Sequence, residues 1–206
     1  MGINAMKWVF GALAAFCLVA PAWAQERFPA LTPLQMTPEQ KTVADKIMGS
    51  RKNLSGPFIP WLRSPELADR FQNVGEYVRY NSAIPKPLSE FTILITARDW
   101  TSQVEWQIHY PEAIAAGMKR QVLDELALNK RPHGMSTDES LVYDFSIAMH
   151  RDKGRVSDPL FDAVKKRFGE KGVIDLIGIN GYYDAVAMTI NAARVPLADP
   201  GPPPLK

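Results

Sequence analysis

The chain has 206 residues, 46% of them apolar, and a formal net charge of only +2. That is the size of one domain with a substantial core. The near balance of charge leaves no nucleic-acid footprint, which excludes roles that work through a basic surface.

Residues 1–24 read as a secretory signal peptide. Met1 to Lys7 is a short, weakly basic start, Trp8 to Val19 is apolar, and Ala22-Trp23-Ala24 is a small-x-small cleavage site before Gln25. An uncleaved anchor is the other reading, but the apolar run is too short for a stable span. The expectation is a secreted or periplasmic protein with no membrane span after cleavage. The only cysteine, Cys17, leaves with the leader. Residues 25–206 then have no disulfide, no thiolate nucleophile and no thiolate metal site.

Residues 25–55 form an arm and a first helix. Gln25 to Met36, with Pro29 and Pro33, reads as extended. Thr37-Pro38-Glu39-Gln40 is a capping box with proline at the first helical position. The helix it opens is expected to run to about residues 46–50, with Gly49 able to end it. Residues 51–60 read as a loop whose Phe58 and Ile59 pack on the domain together with Trp61.

The main domain spans 56–196. Ser64-Pro65-Glu66 opens a helix in which Leu67, Phe71, Val74, Tyr77 and Val78 recur at three and four, predicting one buried face. After a turn at 81–87 comes the segment with Glu90, apolar on nearly all sides. Its Thr92, Ile93, Ile95 and Thr96 keep a buried strand open as an alternative; its length favours a helix, as does the family resemblance drawn below. The next helix carries Ser102, Glu105 and His109 at i, i+3 and i+7, within roughly 60° of one another, with Trp106 at the border. Asp99 or Thr101 can cap it, Pro111 should kink or restart it, and Gly117 should close it. A short helix at 120–128 and a loop at 129–136 with His133 follow. Thr137-Asp138-Glu139-Ser140 starts a helix to about His150. Ser157-Asp158-Pro159 caps another, with Leu160, Phe161, Val164 and Phe168 inward. Residues 172–193 make the last long helix, where Gly178 and Gly181 would admit a neighbour closely and Asp175 and Asp184 argue against a membrane span. The proline-rich tail, 197–206, cannot hold regular structure. No hairpin signal occurs, so the fold class is all-α.

The pattern Glu90, then Ser102-Gln103-Val104-Glu105-Trp106, then His109, Ala115, Ala116 and Gly117 resembles the core of the carboxymuconolactone decarboxylase family and its alkylhydroperoxidase D-like relatives. The resemblance covers roughly 56–196. In redox members the positions of Ser102 and Glu105 are both cysteine, and many decarboxylase-like members carry Cys-x-x-Glu-Trp-x-x-His. This chain keeps Glu-Trp-x-x-His and has Ser102 where the remaining cysteine stands. The resemblance implies an alkylhydroperoxidase D-like helical domain and assembly with itself, trimers or hexamers being usual. It also implies either decarboxylation of a carboxylated lactone or thiol-dependent hydroperoxide reduction, with Glu90 and His109 matching the family's proton relay. Thiol chemistry lacks its cysteines here.

Imidazoles ordinarily give and take protons near neutrality. Glu90, Glu105 and His109, with Ser102 as a hydrogen-bond donor, fit general acid–base work on a small organic acid or lactone. Trp100, Trp106, Tyr182 and Tyr183 are candidates for the substrate-binding wall, and Arg194 for attracting a carboxylate. Each also has a plainer reading. A buried Glu–His pair can satisfy itself, adjacent tyrosines can pack between helices, and Arg194 can meet the helix's own terminal carbonyls. His133 reads as exposed, and His150 as a favourable charge near a helix C-terminus. Glu105 and His109 alone are too few ligands for a zinc site, so no metal and no cofactor are called for. The function expected is an exported acid–base lyase or isomerase acting on a small carboxylated lactone or keto acid. The alternative is an oligomeric small-molecule-binding protein that keeps the pocket without the chemistry.

Overall fold

A computed structural model describes residues 26–197 and Leu205; the expected signal segment with Cys17 and most of the tail lie outside the described residues. Eight helices and no strand occur among those described: α1 (Pro38–Arg51), α2 (Phe58–Trp61), α3 (Pro65–Tyr80), α4 (Lys86–Asp99), α5 (Gln103–Ala115), α6 (Arg120–Ala127), α7 (Thr137–Arg151) and α8 (Asp158–Ala193). The fold is all-α.

α4 is the centre. Ten consecutive residues, Leu88 to Ala97, are buried, because α5, α7 and α8 all pack on it. Each fully buried Leu or Ile there contributes about 1.5–3 kcal/mol relative to exposure. Its β-branched residues do not turn it into a strand. Thr92 and Thr96 donate their hydroxyls back to the carbonyls of Leu88 and Thr92, at 2.9 and 3.1 Å. A threonine in a buried helix can meet its own polar demand this way.

The link from α4 to α5 is three residues, 100–102, with Thr101 in the left-handed region at φ 48°. It folds α5 straight back along α4. α5 runs on through Pro111, so the expected kink does not break it; buried Tyr110 and Ala113 hold the turn on either side. Gly117 ends it at φ 105°. There the Gly117 N–H donates to the Ile114 carbonyl and the Met118 N–H to that of Ala113, the paired closure of a Schellman motif.

The capping box expected at Thr37 with Gln40 is present, and a second one, Ser136 with Glu139, caps α7 at its expected start, Thr137. Other expectations need correction. Gly49 lies inside α1, which ends at left-handed Lys52. The loop at 51–60 contains a helical turn, with Phe58, Pro60 and Trp61 buried. The buried stripe of α3 is Ala68, Gln72, Gly75 and Val78, while Leu67, Val74 and Tyr77 are exposed. Phe161 is exposed as well. The two helices expected at 157–168 and 172–193 meet at one break, Gly169, whose φ of 73° a residue with a β-carbon adopts poorly. No helix among the described residues is long and apolar enough to cross a membrane.

The two ends of the domain touch. The arm lies across the end of α8, where the Arg27 N–H donates to the Ala193 carbonyl at 3.1 Å and its guanidinium to that of Ala192 at 2.8 Å. These are carbonyls that a helix end leaves without partners. In the tail, the Leu205 N–H donates to the Gln103 side chain at 2.8 Å.

Candidate active site

Folding α5 back on α4 puts His109 over Glu90. The His109 Nδ1 lies 2.7 Å from Glu90 Oε2, and both side chains are almost wholly buried. A carboxylate only accepts, so this contact assigns the proton to Nδ1 and leaves Nε2 for other work. Nε2 faces Glu105, one turn earlier on α5, at 3.5 Å from Oε2. That distance is too long for a firm hydrogen bond, and Glu105 Oε2 has no hydrogen-bond partner.

The two carboxylates are driven apart. Burial pushes Glu105 above the ordinary carboxylate value, and the charges of His109 and Arg79 only partly oppose it. Burial acts on Glu90 the same way. There the hydrogen bond and charge of His109, helped by Arg79 and Lys86, outweigh it and hold Glu90 below the ordinary value. One carboxyl is set to be an anion; its neighbour more readily keeps a proton. Paired groups separated in this way are what acid–base catalysis uses.

α8 supplies the facing wall. The Tyr183 ring meets His109 edge-on with centroids 5.2 Å apart, and Tyr182 meets Tyr183 edge-on at 5.1 Å. Burial raises both phenols, Tyr183 well above the ordinary value, so both remain hydrogen-bond donors. A cavity of about 390 Å³ opens here, lined by Glu105, His109, Tyr182 and Tyr183 together with Arg51 and Arg79. That volume suits a small ligand.

The other candidates lie away from this lining. Glu90 meets the cavity only through His109. Ser102 is not on the helical stripe, because α5 begins at Gln103 and Ser102 stands at its N-cap; the side chain is fully buried and its Oγ lacks a hydrogen-bond partner. Trp106 is fully buried against Tyr110. Trp100, at the end of α4, is partly exposed and donates its indole N–H to Asp184 Oδ1 at 2.6 Å. Arg194 is the left-handed cap of α8. Sequence reasoning missed Arg51 and Arg79. They sit at the ends of α1 and α3, before the motif, and no spacing connects them to it.

A second buried histidine lies on the α7 side of α4. His150 Nε2 is 3.1 Å from Thr96 Oγ1, and its Nδ1 is 3.3 Å from the same Asp184 oxygen that accepts from Trp100. Neither described cavity reaches it. His133, by contrast, is exposed, as its loop position suggests, and both its N–H and its Nδ1 contact Glu125.

No family profile matches the sequence, and no curated protein matches it either. Solved structures do. The crystal structure of an alkylhydroperoxidase D core, an uncharacterised peroxidase-related protein from Ralstonia eutropha JMP134, aligns with a TM-score of 0.71 at 14% identity, covering 84% of this chain and 93% of that one. The fold is alkylhydroperoxidase D-like. A cysteine-to-alanine variant of the debrominase Bmp8, in complex with 2,3,4-tribromopyrrole, aligns with a TM-score of 0.64 at 14% identity, over 84% of this chain and 91% of its own. Two proteins with different descriptions share the alkylhydroperoxidase D-like fold, so the fold does not choose the reaction and the side chains must.

Proposed function

We propose that this chain is an exported acid–base lyase or isomerase of carboxymuconolactone decarboxylase type, acting on a small carboxylated lactone or keto acid. The observation that supports it most is His109 on the cavity wall, with Nδ1 held by Glu90 at 2.7 Å and Nε2 directed toward Glu105. Glu90 fixes the ring and its orientation. His109 then delivers a proton from Nε2 to the carbon from which carbon dioxide departs, and the electron pair of the broken bond is carried to that carbon through the lactone's enolate. In an isomerisation the same nitrogen takes a proton and returns it to another carbon. Glu105, inclined to hold a proton, restores it to Nε2 and, in decarboxylation, takes the replacement from water through the cavity it lines.

Thiol-dependent peroxide reduction needs an attacking thiolate, and residues 25–206 contain no cysteine. The neighbour's complex with a small planar ring adds that this fold can receive such a ligand. Self-association belongs to the same reading, and exposed Leu67, Val74 and Ile174 offer apolar surface for it.

Steady-state assays on carboxylated lactones and keto acids test the proposal. The protein should turn over at least one of them, and His109→Ala should lower the rate by at least about 100-fold. Turnover that survives His109→Ala would overturn it, as would peroxide turnover driven by a dithiol. Ligand binding without turnover would leave the reading of an oligomeric binding protein.

A further inference from the structure

Arg51 is the last residue of α1, and its guanidinium carbon stands 4.8 Å from the centre of the Phe58 ring. Its Nε and Nη2 are buried and have no hydrogen-bond partner. Arg79, near the end of α3, leaves its Nε in the same state. Its Nη2 reaches Glu112 at only 3.9 Å. Buried guanidinium donors are rarely left unmet, because water has been removed from them and nothing has replaced it. Here two such groups line one cavity.

The charges facing that cavity do not cancel. Arg51, Arg79 and Lys86 stand against Glu105 and Glu112. Glu112 is shared between Lys86 at 3.3 Å and Arg79 at 3.9 Å. Glu90 is committed to His109. Among the described residues no carboxylate pairs with Arg51.

Gly75 adds a geometric sign. It sits inside α3, where glycine costs helix stability relative to alanine. A β-carbon there would lie 2.2 Å from the Tyr182 hydroxyl and 2.7 Å from Arg51 Nη2. The missing side chain is what allows a phenol and a guanidinium to converge on one spot. Along the wall the order is then Arg51, Tyr182, Tyr183, His109.

We propose that Arg51 and Arg79 form an anion subsite that seats the carboxylate of the substrate, with Gly75 as the positioning residue that lets Tyr182 and Arg51 meet. A guanidinium presents paired N–H groups that match the two oxygens of a carboxylate. The Tyr182 hydroxyl completes the cradle. A carboxylate held at the Arg51 end leaves the rest of a small ring lying along the tyrosines toward His109. The inference rests on the acid–base reading for what happens at His109, but the subsite binds its anion without that chemistry.

Calorimetric titration of the purified protein with benzoate, and with benzamide as the neutral isostere, tests it at neutral pH and low salt. Benzoate should bind at least about tenfold more tightly than benzamide. Arg51→Gln and Arg79→Gln should each remove most of that preference while benzamide binding stays as it was. Arg51→Lys keeps the charge and the fold but loses the paired geometry, and should fall between. Gly75→Ala should weaken benzoate binding as Arg51→Gln does, by displacing two groups at once. His109→Gln should keep the preference. Benzoate that fails to bind, or that binds no better than benzamide, overturns the subsite. An unchanged preference in Arg51→Lys and Gly75→Ala does so too. If the preference depends on Arg51 but no substrate is turned over, the subsite stands and the acid–base reading falls. If turnover depends on His109 while the arginine variants keep the wild-type KM, the acid–base reading stands and the subsite falls.

Discussion

Two histidines are buried against α4, one on each side, and each touches a carboxylate. His109 meets Glu90 and faces Glu105; His150 meets Asp184 and Thr96. The resemblance ends there. Around His150 the polar groups close on one another, since Asp184 also accepts from Trp100 and Thr96 also donates to a backbone carbonyl. Around His109 they stay open. Glu105 has an oxygen without a hydrogen bond, two arginines have donors without acceptors, and the space between is a cavity. A buried histidine–acid pair is therefore no mark of a site by itself. What distinguishes a site is polar capacity left unused next to room for a ligand.

Replacing the histidines is the strongest way to break the comparison. His109→Ala strands a buried carboxylate and should cost about 3 kcal/mol in a denaturant titration. His150→Ala opens a closed network whose partners are a neutral hydroxyl and a carboxylate that is partly exposed, and should cost less, about 1–2 kcal/mol. Only the first should remove turnover. A His150→Ala protein that folds but has lost activity would show that the two clusters act as one.

The pH dependence of stability sharpens the contrast within the open cluster. Glu90 is held below the ordinary carboxylate value by His109, against its burial. Its contribution is present above that value and is lost as pH falls through the lowered folded-state pKa. Glu90→Gln should therefore destabilise the protein at neutral pH, and by less in acid. Glu105 is shifted the other way, chiefly by burial. Its protonated form favours folding below the ordinary value, and that benefit is lost as pH rises through the raised pKa. Glu105→Gln should melt higher than the wild type at neutral pH, with the gain shrinking in acid. Melting curves across the acid range check both signs, and shifts in the same direction for the two variants would refute the assignment.

The smallest effect belongs to the third histidine. His133 lies in the exposed loop against Glu125, which backbone and side-chain hydrogen bonds hold down to about 2. Surface pairs are weak. His133→Ala should shift the melting temperature less than either buried substitution and leave turnover unchanged; a shift as large as that of His150→Ala would show the loop to be part of the core.

Much of this architecture was legible beforehand, for reasons that can be named. Thr37 with Gln40 announces a helix start because a cap is local chemistry. The juxtaposition of Glu90, Glu105 and His109 follows from a helix that folds back along its neighbour. Tyr182 and Tyr183 line the cavity because α8 completes that wall. What stayed hidden depends on three dimensions. The face of α3 was misjudged because its buried stripe contains Gln72 and Gly75, which no apolar pattern marks, while Leu67 and Val74 are exposed. Ser102 looked like part of the stripe because a one-residue difference in where α5 begins turns it from a helical position into a cap. Arg51 and Arg79 carried no signal, since only packing brings the ends of α1 and α3 to the same cavity.

The clasp between Arg27 and the end of α8 joins residues 165 positions apart. Closing so long a loop costs entropy before any contact repays it, and distant contacts are slow to form. It cannot happen on the ribosome until the segment with Ala192 has emerged, and that segment also brings the two tyrosines. The clasp, and with it the tyrosine wall of the cavity, can therefore be completed only after α8 has been made.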